Sequence, residues 1–284
     1  MPKTLPSRRD LLLMAAALPL PTLATQEAPT YNFSPVNQYG INVTAAYWNP
    51  IIAHVSERSG VKLQLKLGRT SADTTAYVLA NEVDFIFSNH MFSPEREQLG
   101  WKTFGRRQTP PVHGQLIVPE DSGITDLAQL AGKDVVFPGP EATVAYKFTY
   151  AQLLSRKIDV KTVFAGNMDG AFAQLLAGRA VAMGANSHMV DGYTKREGKR
   201  FKVLWSSSPV HDLALMHSAR VPARDAAAVA RAFVGMAADP TGRDILTKAS
   251  QLAGLPADAH FIASNGTEYS VYRDFYRSAP PQLR

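Results

Sequence analysis

Two groups of polar side chains stand just past runs of residues that read as β-strands. In the first half of the chain they are Tyr39, Arg69, Thr70, Asn89 and His90, in loops spanning 37–40, 69–71 and 88–91. In the second half Asn186, Ser187 and His188 follow a strand near 180–184, and a loop over 138–143 follows another. Loops leaving the carboxyl ends of parallel strands are where α/β sheets collect ligands. Hydroxyl, amide and imidazole groups placed there suit non-covalent capture of a small solute, and the Arg69 guanidinium offers the fork that oxyanions favour. Each position also has an ordinary structural reading: turn residues for Tyr39, Thr70, Asn89 and His90, a solvated ion pair for Arg69, a surface turn for 186–188.

The same inventory points away from catalysis. Cysteine is absent, which excludes thiolate nucleophiles, thiolate metal sites and disulfides. No G-x-S-x-G elbow occurs, and the seven histidines show no H-x-x-x-H or H-E-x-x-H spacing, so neither an enzyme nor a metal or cofactor site is expected. Net charge is +6, of which Lys3, Arg8, Arg9 and Asp10 supply two. That balance favours anions. Basic residues are scattered apart from Lys195-Arg196 and Lys199-Arg200, which read as a solvated turn, so no nucleic-acid groove is expected.

The elements that must position these residues alternate along the chain. A strand over 30–36 leads to a helix over 43–59 whose apolar residues Ala46, Ile51, Ile52 and Val55 fall at helical spacing, with Gly60 as its stop. Strand 61–67, helix 74–80 and strand 83–87 repeat the unit. A second series starts at 115–119 and continues through a helix at 124–130, a strand at 133–137, a helix at 144–155, a strand at 161–164, a helix at 169–177 and a strand at 180–184. Strand 201–205 and the serine run 206–208 lead back toward 214–217. Helices over 223–237 and 269–276 close the chain. With 45% hydrophobic residues the chain holds enough apolar surface for two cores, and two lobes are expected.

The N-terminus reads as a leader. Ser7-Arg8-Arg9-Asp10-Leu11-Leu12 precedes an apolar stretch ending at Leu23, with the small residue Ala24 as cleavage position. Pro19 and Pro21 interrupt it, leaving too short a run to span a bilayer. Residues 1–24 are therefore expected to be a twin-arginine signal, handled by the twin-arginine machinery and removed, which makes the protein periplasmic.

Several segments carry a family resemblance. Trp48-Asn49-Pro50-Ile51-Ile52 with Ser59-Gly60-Val61, Leu79-Ala80-Asn81-Glu82-Val83-Asp84, and Asp121-Ser122-Gly123-Ile124-Thr125-Asp126-Leu127 with Leu130-Ala131-Gly132-Lys133 are the first of them. Val163-Phe164-Ala165-Gly166, Leu175-Leu176-Ala177-Gly178, Ser207-Ser208-Pro209 and Ala238-Asp239-Pro240-Thr241-Gly242 complete the series. In this order they resemble the periplasmic substrate-binding proteins of phosphate, phosphite and phosphonate ABC transporters. The resemblance implies a two-lobed type II periplasmic binding protein fold, each lobe a mostly parallel sheet flanked by helices and joined by a two-stranded hinge. Lobe 1 is expected over 25–114 and 207–284 and lobe 2 over 115–206. It implies ligand capture without catalysis, and delivery to a permease.

The resemblance also places the ligand seat. The family's hydroxyl-rich turn corresponds to Glu141-Ala142-Thr143-Val144-Ala145-Tyr146, where Thr143 and Tyr146 keep the side-chain chemistry and Glu141 brings a negative charge beside the ligand. A family histidine becomes Met168, and two acidic positions become Val181 and Asn186, which argues against an aminophosphonate. The motif has diverged, yet the turn's backbone N–H groups survive substitution. The expected ligand is a small oxyanion of the phosphonate or phosphate class, bound by Tyr39, Arg69, Thr70, Asn89, His90, Thr143, Tyr146 and Asn186. The alternative is a receptor for a membrane sensor kinase with a non-phosphorus ligand.

Overall fold

The computed structural model describes residues 29–284, so the leader expected over 1–24 lies outside the described residues. The chain opens with β1 (Thr30–Pro35), α1 (Ile41–Ser59), β2 (Lys62–Leu65), α2 (Asp73–Leu79), β3 (Phe85–Ser88), α3 (Pro94–Glu97) and β4 (Lys102–Gln108). It then builds β5 (Gly114–Pro119), β6 (Asp134–Phe137), a π-helical turn over Thr143–Phe148 running into α4 (Thr149–Ser155), β7 (Lys161–Phe164), α5 (Met168–Leu176), β8 (Ala182–Asn186), α6 (Ser187–Glu197) and β9 (Phe201–Ser206). The remainder is β10 (Ala214–His217), α7 (Ala223–Gly235), α8 (Pro240–Ala253), β11 (His260–Ala263) and α9 (Ser270–Ser278).

Two sheets result. One has the order β11-β4-β10-β3-β1-β2 and the other β7-β6-β8-β5-β9. Each is only partly parallel, which corrects the expectation of mostly parallel sheets. β2, β1 and β3 run parallel, as do β7, β6 and β8, whereas β10, β4, β11, β5 and β9 enter antiparallel. The reason lies in the connections. Parallel neighbours need a crossover helix, but β5 and β10 are reached by crossing between the sheets. They start where their neighbours end, Gly114 opposite Asn186 and Ala214 opposite Ser88. Both crossings therefore sit at the carboxyl ends of the parallel strands, beside the loops that carry the candidate ligand residues. A bridge between Val112 and Val210, with N–H···O distances of 2.8 and 2.9 Å, ties them together.

The first lobe packs around α1. Its apolar face of Tyr47, Trp48, Ile51, Ile52 and Val55 is buried, and Gly60, in the left-handed conformation (φ 68°), ends the helix by donating to the Ser56 carbonyl. Trp48 contacts Phe33, Phe87 and Phe261 at centroid distances of 5.0 to 6.0 Å, which joins the helix to three strands.

At the edge of this core a buried ion pair fixes the second crossing. Arg107 of β4 donates to Asp212 through two nitrogens at 2.8 and 2.6 Å and to the Tyr47 hydroxyl at 3.1 Å. Burial alone would weaken its hold on the proton, but the Asp212 carboxylate prevails and raises the Arg107 pKa. Removing one partner of such a pair strands the other charge in a low dielectric, at about 3 to 5 kcal/mol, while replacing both by apolar residues is often close to neutral. Asp212→Ala is therefore expected to lower the free energy of unfolding by about 3 to 5 kcal/mol in urea titration. The double variant Arg107→Met/Asp212→Leu should recover most of it.

Candidate functional site

Between the sheets, at the carboxyl ends of the parallel strands, lies a cavity of about 40 Å³. Lobe 1 supplies Val36, Asn37, Gln38, Ser71, Asn89 and His90. Lobe 2 supplies Pro138, Ala142 to Ala145, Met168 and Asn186, and the crossing contributes Leu213.

The turn that opens α4 is held on the second sheet by two glycines. A Cβ on Gly114 would lie 2.5 Å from the Val144 carbonyl oxygen, and one on Gly184 would clash with the Ala145 carbonyl and the Phe137 ring. Backbone thus rests directly on backbone. The turn is wound wide, with the Ala142 carbonyl accepting from both Tyr146 (2.8 Å) and Lys147 (3.1 Å). A regular α-helix was expected over 144–155; the close seat on β5 and β8 accompanies a π-helical start instead, a form often found at functional sites. The N–H groups of Thr143, Val144 and Ala145 begin the helix without a backbone acceptor among the described residues, and all three residues line the cavity.

Four of the candidate residues meet here. Asn89 donates to the Tyr272 hydroxyl at 3.4 Å, and His90 Nδ1 bonds Thr75 Oγ1 at 3.0 Å. Burial drives the His90 pKa down to about 3, so the imidazole is neutral. Thr143 Oγ1 lies 3.3 Å from the Tyr276 hydroxyl, and Asn186 caps α6 by accepting from His188 N at 2.9 Å. The other four stand elsewhere. Tyr39 is buried with its hydroxyl donating to the Ala253 carbonyl, Arg69 is exposed, and Thr70 Oγ1 donates to Asp73, the first residue of α2, at 2.8 Å. Tyr146 stacks on Tyr150 and meets Phe137 and Phe164 edge-on, each at 4.9 Å, in the aromatic layer behind the turn. Ser71 and Leu213 complete the wall; only the loop 69–71 pointed to either of them in the sequence.

The lobes touch directly across the cavity. Ser71 N donates to the Gly166 carbonyl at 2.8 Å, Met168 N to the Gln38 carbonyl at 3.2 Å, and Gly40 N to Asp169 Oδ2 at 2.9 Å. Beside them Arg96 grips Glu141 with two parallel bonds of 2.5 and 2.9 Å. Glu141 was expected to present bare negative charge to a ligand. Paired across the cleft it presents none, and serves as a latch.

Residues 33–260 match the family described as ABC transporter, phosphonate, periplasmic substrate-binding protein. The chain belongs to that family. Membership assigns it solute binding rather than catalysis and a place among periplasmic proteins. Among solved structures it is similar to a binding protein component of an ABC phosphonate transporter from Pseudomonas aeruginosa, at 15% identity and TM-score 0.76, covering 88% of this chain and 87% of that one. It is also similar to PhnD1 from Prochlorococcus marinus in complex with methylphosphonate, at 11% identity and TM-score 0.74, covering 87% and 97%. The GluR0 ligand-binding core from Nostoc punctiforme, in complex with L-glutamate, shares 16% identity at TM-score 0.52 over 78% and 99%. Among curated protein sequences none matches. These likenesses give the type II periplasmic binding protein fold. Among the described residues no helix is long and apolar enough to cross a membrane, and no three His, Asp or Glu side chains cluster as metal ligands.

In this member of the phosphonate-binding family, the Arg96–Glu141 contact across the cleft has a pH signature. Burial favours the neutral form of Glu141, but hydrogen bonds from Arg96 and the surrounding charge outweigh it and hold its pKa down to about 2. A depressed carboxylate pKa stabilises the folded, latched state above the ordinary carboxylate range, and the contribution is lost as pH falls from about 4.5 toward 2. Glu141→Gln should cost on the order of 1 to 3 kcal/mol at neutral pH and have little effect near pH 2. Thermal unfolding of both proteins across pH 2 to 7 checks this, with converging melting temperatures at the acid end as the expected result.

Proposed function

We propose that the protein is an exported solute-binding protein that encloses a small phosphorus oxyanion between its lobes and hands it to an ABC permease. The observation that supports this best is the turn at Thr143 to Ala145, whose free N–H groups and positive helix end border the cavity between the lobes. The cavity's size supports it too. About 40 Å³ admits roughly three waters, a scale that suits a tetrahedral anion of four or five heavy atoms.

The lining refines the ligand class. No ionised side chain stands in the wall: His90 is neutral, and Arg96, behind it, is spent on Glu141. A singly charged anion is therefore favoured over a doubly charged one, whose second charge would be buried without a counter-charge. Val36, Pro138, Val144, Met168 and Leu213 give the cavity an apolar side. That side suits the carbon or hydrogen substituent of a phosphonate or phosphite and would leave one oxygen of phosphate unpaired, at about 1 to 3 kcal/mol. Asn89, His90, Thr143 and Asn186 are the side chains proposed to touch the ligand. Delivery to a permease, and export through the leader over 1–24, rest on the family relationship and on the sequence.

Thermal stabilisation of the mature protein over a panel of methylphosphonate, phosphite, phosphate, sulfonates, carboxylates and neutral solutes tests the reading. A ligand at 100 times its Kd stabilises by about 2.7 kcal/mol, and the largest shift is expected with methylphosphonate or phosphite. Shifts confined to carboxylates or neutral solutes would overturn it. Asn186→Ala should weaken binding of the responding anion about 10-fold, whereas Tyr146→Phe, outside the cavity, should leave it unchanged.

A further inference from the structure

Three of the polar side chains that lobe 1 offers to the cavity already hold partners within the protein. Asn37 donates to the Gly68 carbonyl and accepts from Thr44, Asn89 donates to Tyr272, and His90 Nδ1 bonds Thr75. Ser71 differs. Only 3% of the residue is exposed, it lines the cavity, and its Oγ makes no hydrogen bond. A buried hydroxyl without a partner is costly, and each such group in a native protein calls for a reason.

Its surroundings supply one. The hydroxyl points across the cleft toward Gly139, where an added Cβ would lie 2.5 Å from Oγ. Gly139 belongs to the loop that leads from β6 into the Thr143–Ala145 turn. The same residue's backbone N–H crosses the cleft to Gly166 at 2.8 Å. Ser71 therefore sets its hydroxyl in the cavity wall against the Gly139 loop and holds the opposite lobe with its backbone.

We infer that Ser71 is the lobe 1 specificity residue, its Oγ donating to an oxygen of an oxyanion seated on the Thr143–Ala145 turn, so that occupancy is converted into closure at this position. This deepens the proposed oxyanion reading and rests on it. In the open cleft water satisfies the hydroxyl. Closing an empty cleft strips that water and leaves Oγ unpaired, whereas closing on an oxyanion gives it an acceptor. A ligand shifts a conformational equilibrium only through such differential interaction between the two states. Ser71 thus penalises the closed empty form and spares the closed loaded one.

The test compares wild type with Ser71→Ala, which removes the hydroxyl but keeps the backbone bond to Gly166. Titration calorimetry with methylphosphonate, phosphite and phosphate reads affinity, melting of the ligand-free proteins reads stability, and small-angle X-ray scattering reads closure. Affinity for the anion that wild type binds should fall about 10- to 100-fold, the scale of a hydrogen bond to a charged group. Ligand-free melting should stay level or rise, and the ligand-free variant should become more compact. Equal affinity in the two proteins overturns the assignment, as does a lower ligand-free melting temperature, which would reveal a structural partner for Oγ. Wild type that binds none of the three anions removes the oxyanion reading instead. In that event unchanged compactness in ligand-free Ser71→Ala also overturns the coupling.

Discussion

The position of the second crossing between the lobes governs the rest of the structure, and the buried Arg107–Asp212 pair sets it. Asp212 stands two residues past the Val112–Val210 bridge, and its backbone carbonyl also accepts from the Tyr269 hydroxyl at 2.8 Å. The neighbouring His211 carbonyl accepts from Tyr272 at 2.7 Å. Leu213, the next residue, is cavity wall. A charge pair so deeply buried adds little net stability, since desolvation offsets most of its attraction. Its geometric effect is larger: any shift of the crossing must break charge-assisted bonds in a low dielectric.

From that anchor the coupling reaches both sides of the cleft through α9. Tyr272 receives a bond from Asn89 and packs against Phe148 at 5.7 Å, while the Tyr276 hydroxyl meets Thr143 and its ring lies 4.8 Å from Lys147 Nζ. One short C-terminal helix therefore touches the crossing, the cavity residue Asn89 on the first sheet's side and the helical turn on the second sheet's side. Burial pushes the Tyr276 phenol up to about 12, so this contact stays a neutral hydrogen bond across the working pH range. The aromatic residues that the sequence shows as a terminal helix are thus interlobe packing.

What the sequence revealed and what it hid follow from the range of the interactions concerned. β7 has the extent its local pattern indicates, because a short run between turn residues is enough to mark a strand. β4 escaped notice. Its buried positions include Gly105 and Arg107, and an inward-facing arginine makes sense only with Asp212, 105 residues away. α6 is polar enough that 186–188 and 195–200 read as turns, yet Asn186 caps its start and Gly198, at φ 65°, its end. The π-helical turn depends on Gly114 and Gly184 coming together beneath it, which no local window contains.

The site divides along the same line. Asn89, His90, Thr143 and Asn186 reach the cavity because strand ends and helix starts fix their positions, and both features are visible locally. Glu141 was legible as a charge but not as half of a pair, since Arg96 lies on the other lobe. That pairing changes the electrostatic argument. A bare carboxylate beside the turn would repel an oxyanion, whereas a latched one leaves the seat to the backbone dipoles and the neutral donors around it. The loss of side-chain hydroxyls and of a histidine that the resemblance implies would then bear on affinity and selectivity more than on the sign of the proposed ligand's charge. In the proposed oxyanion reading that sign follows from N–H groups which substitutions other than proline leave in place.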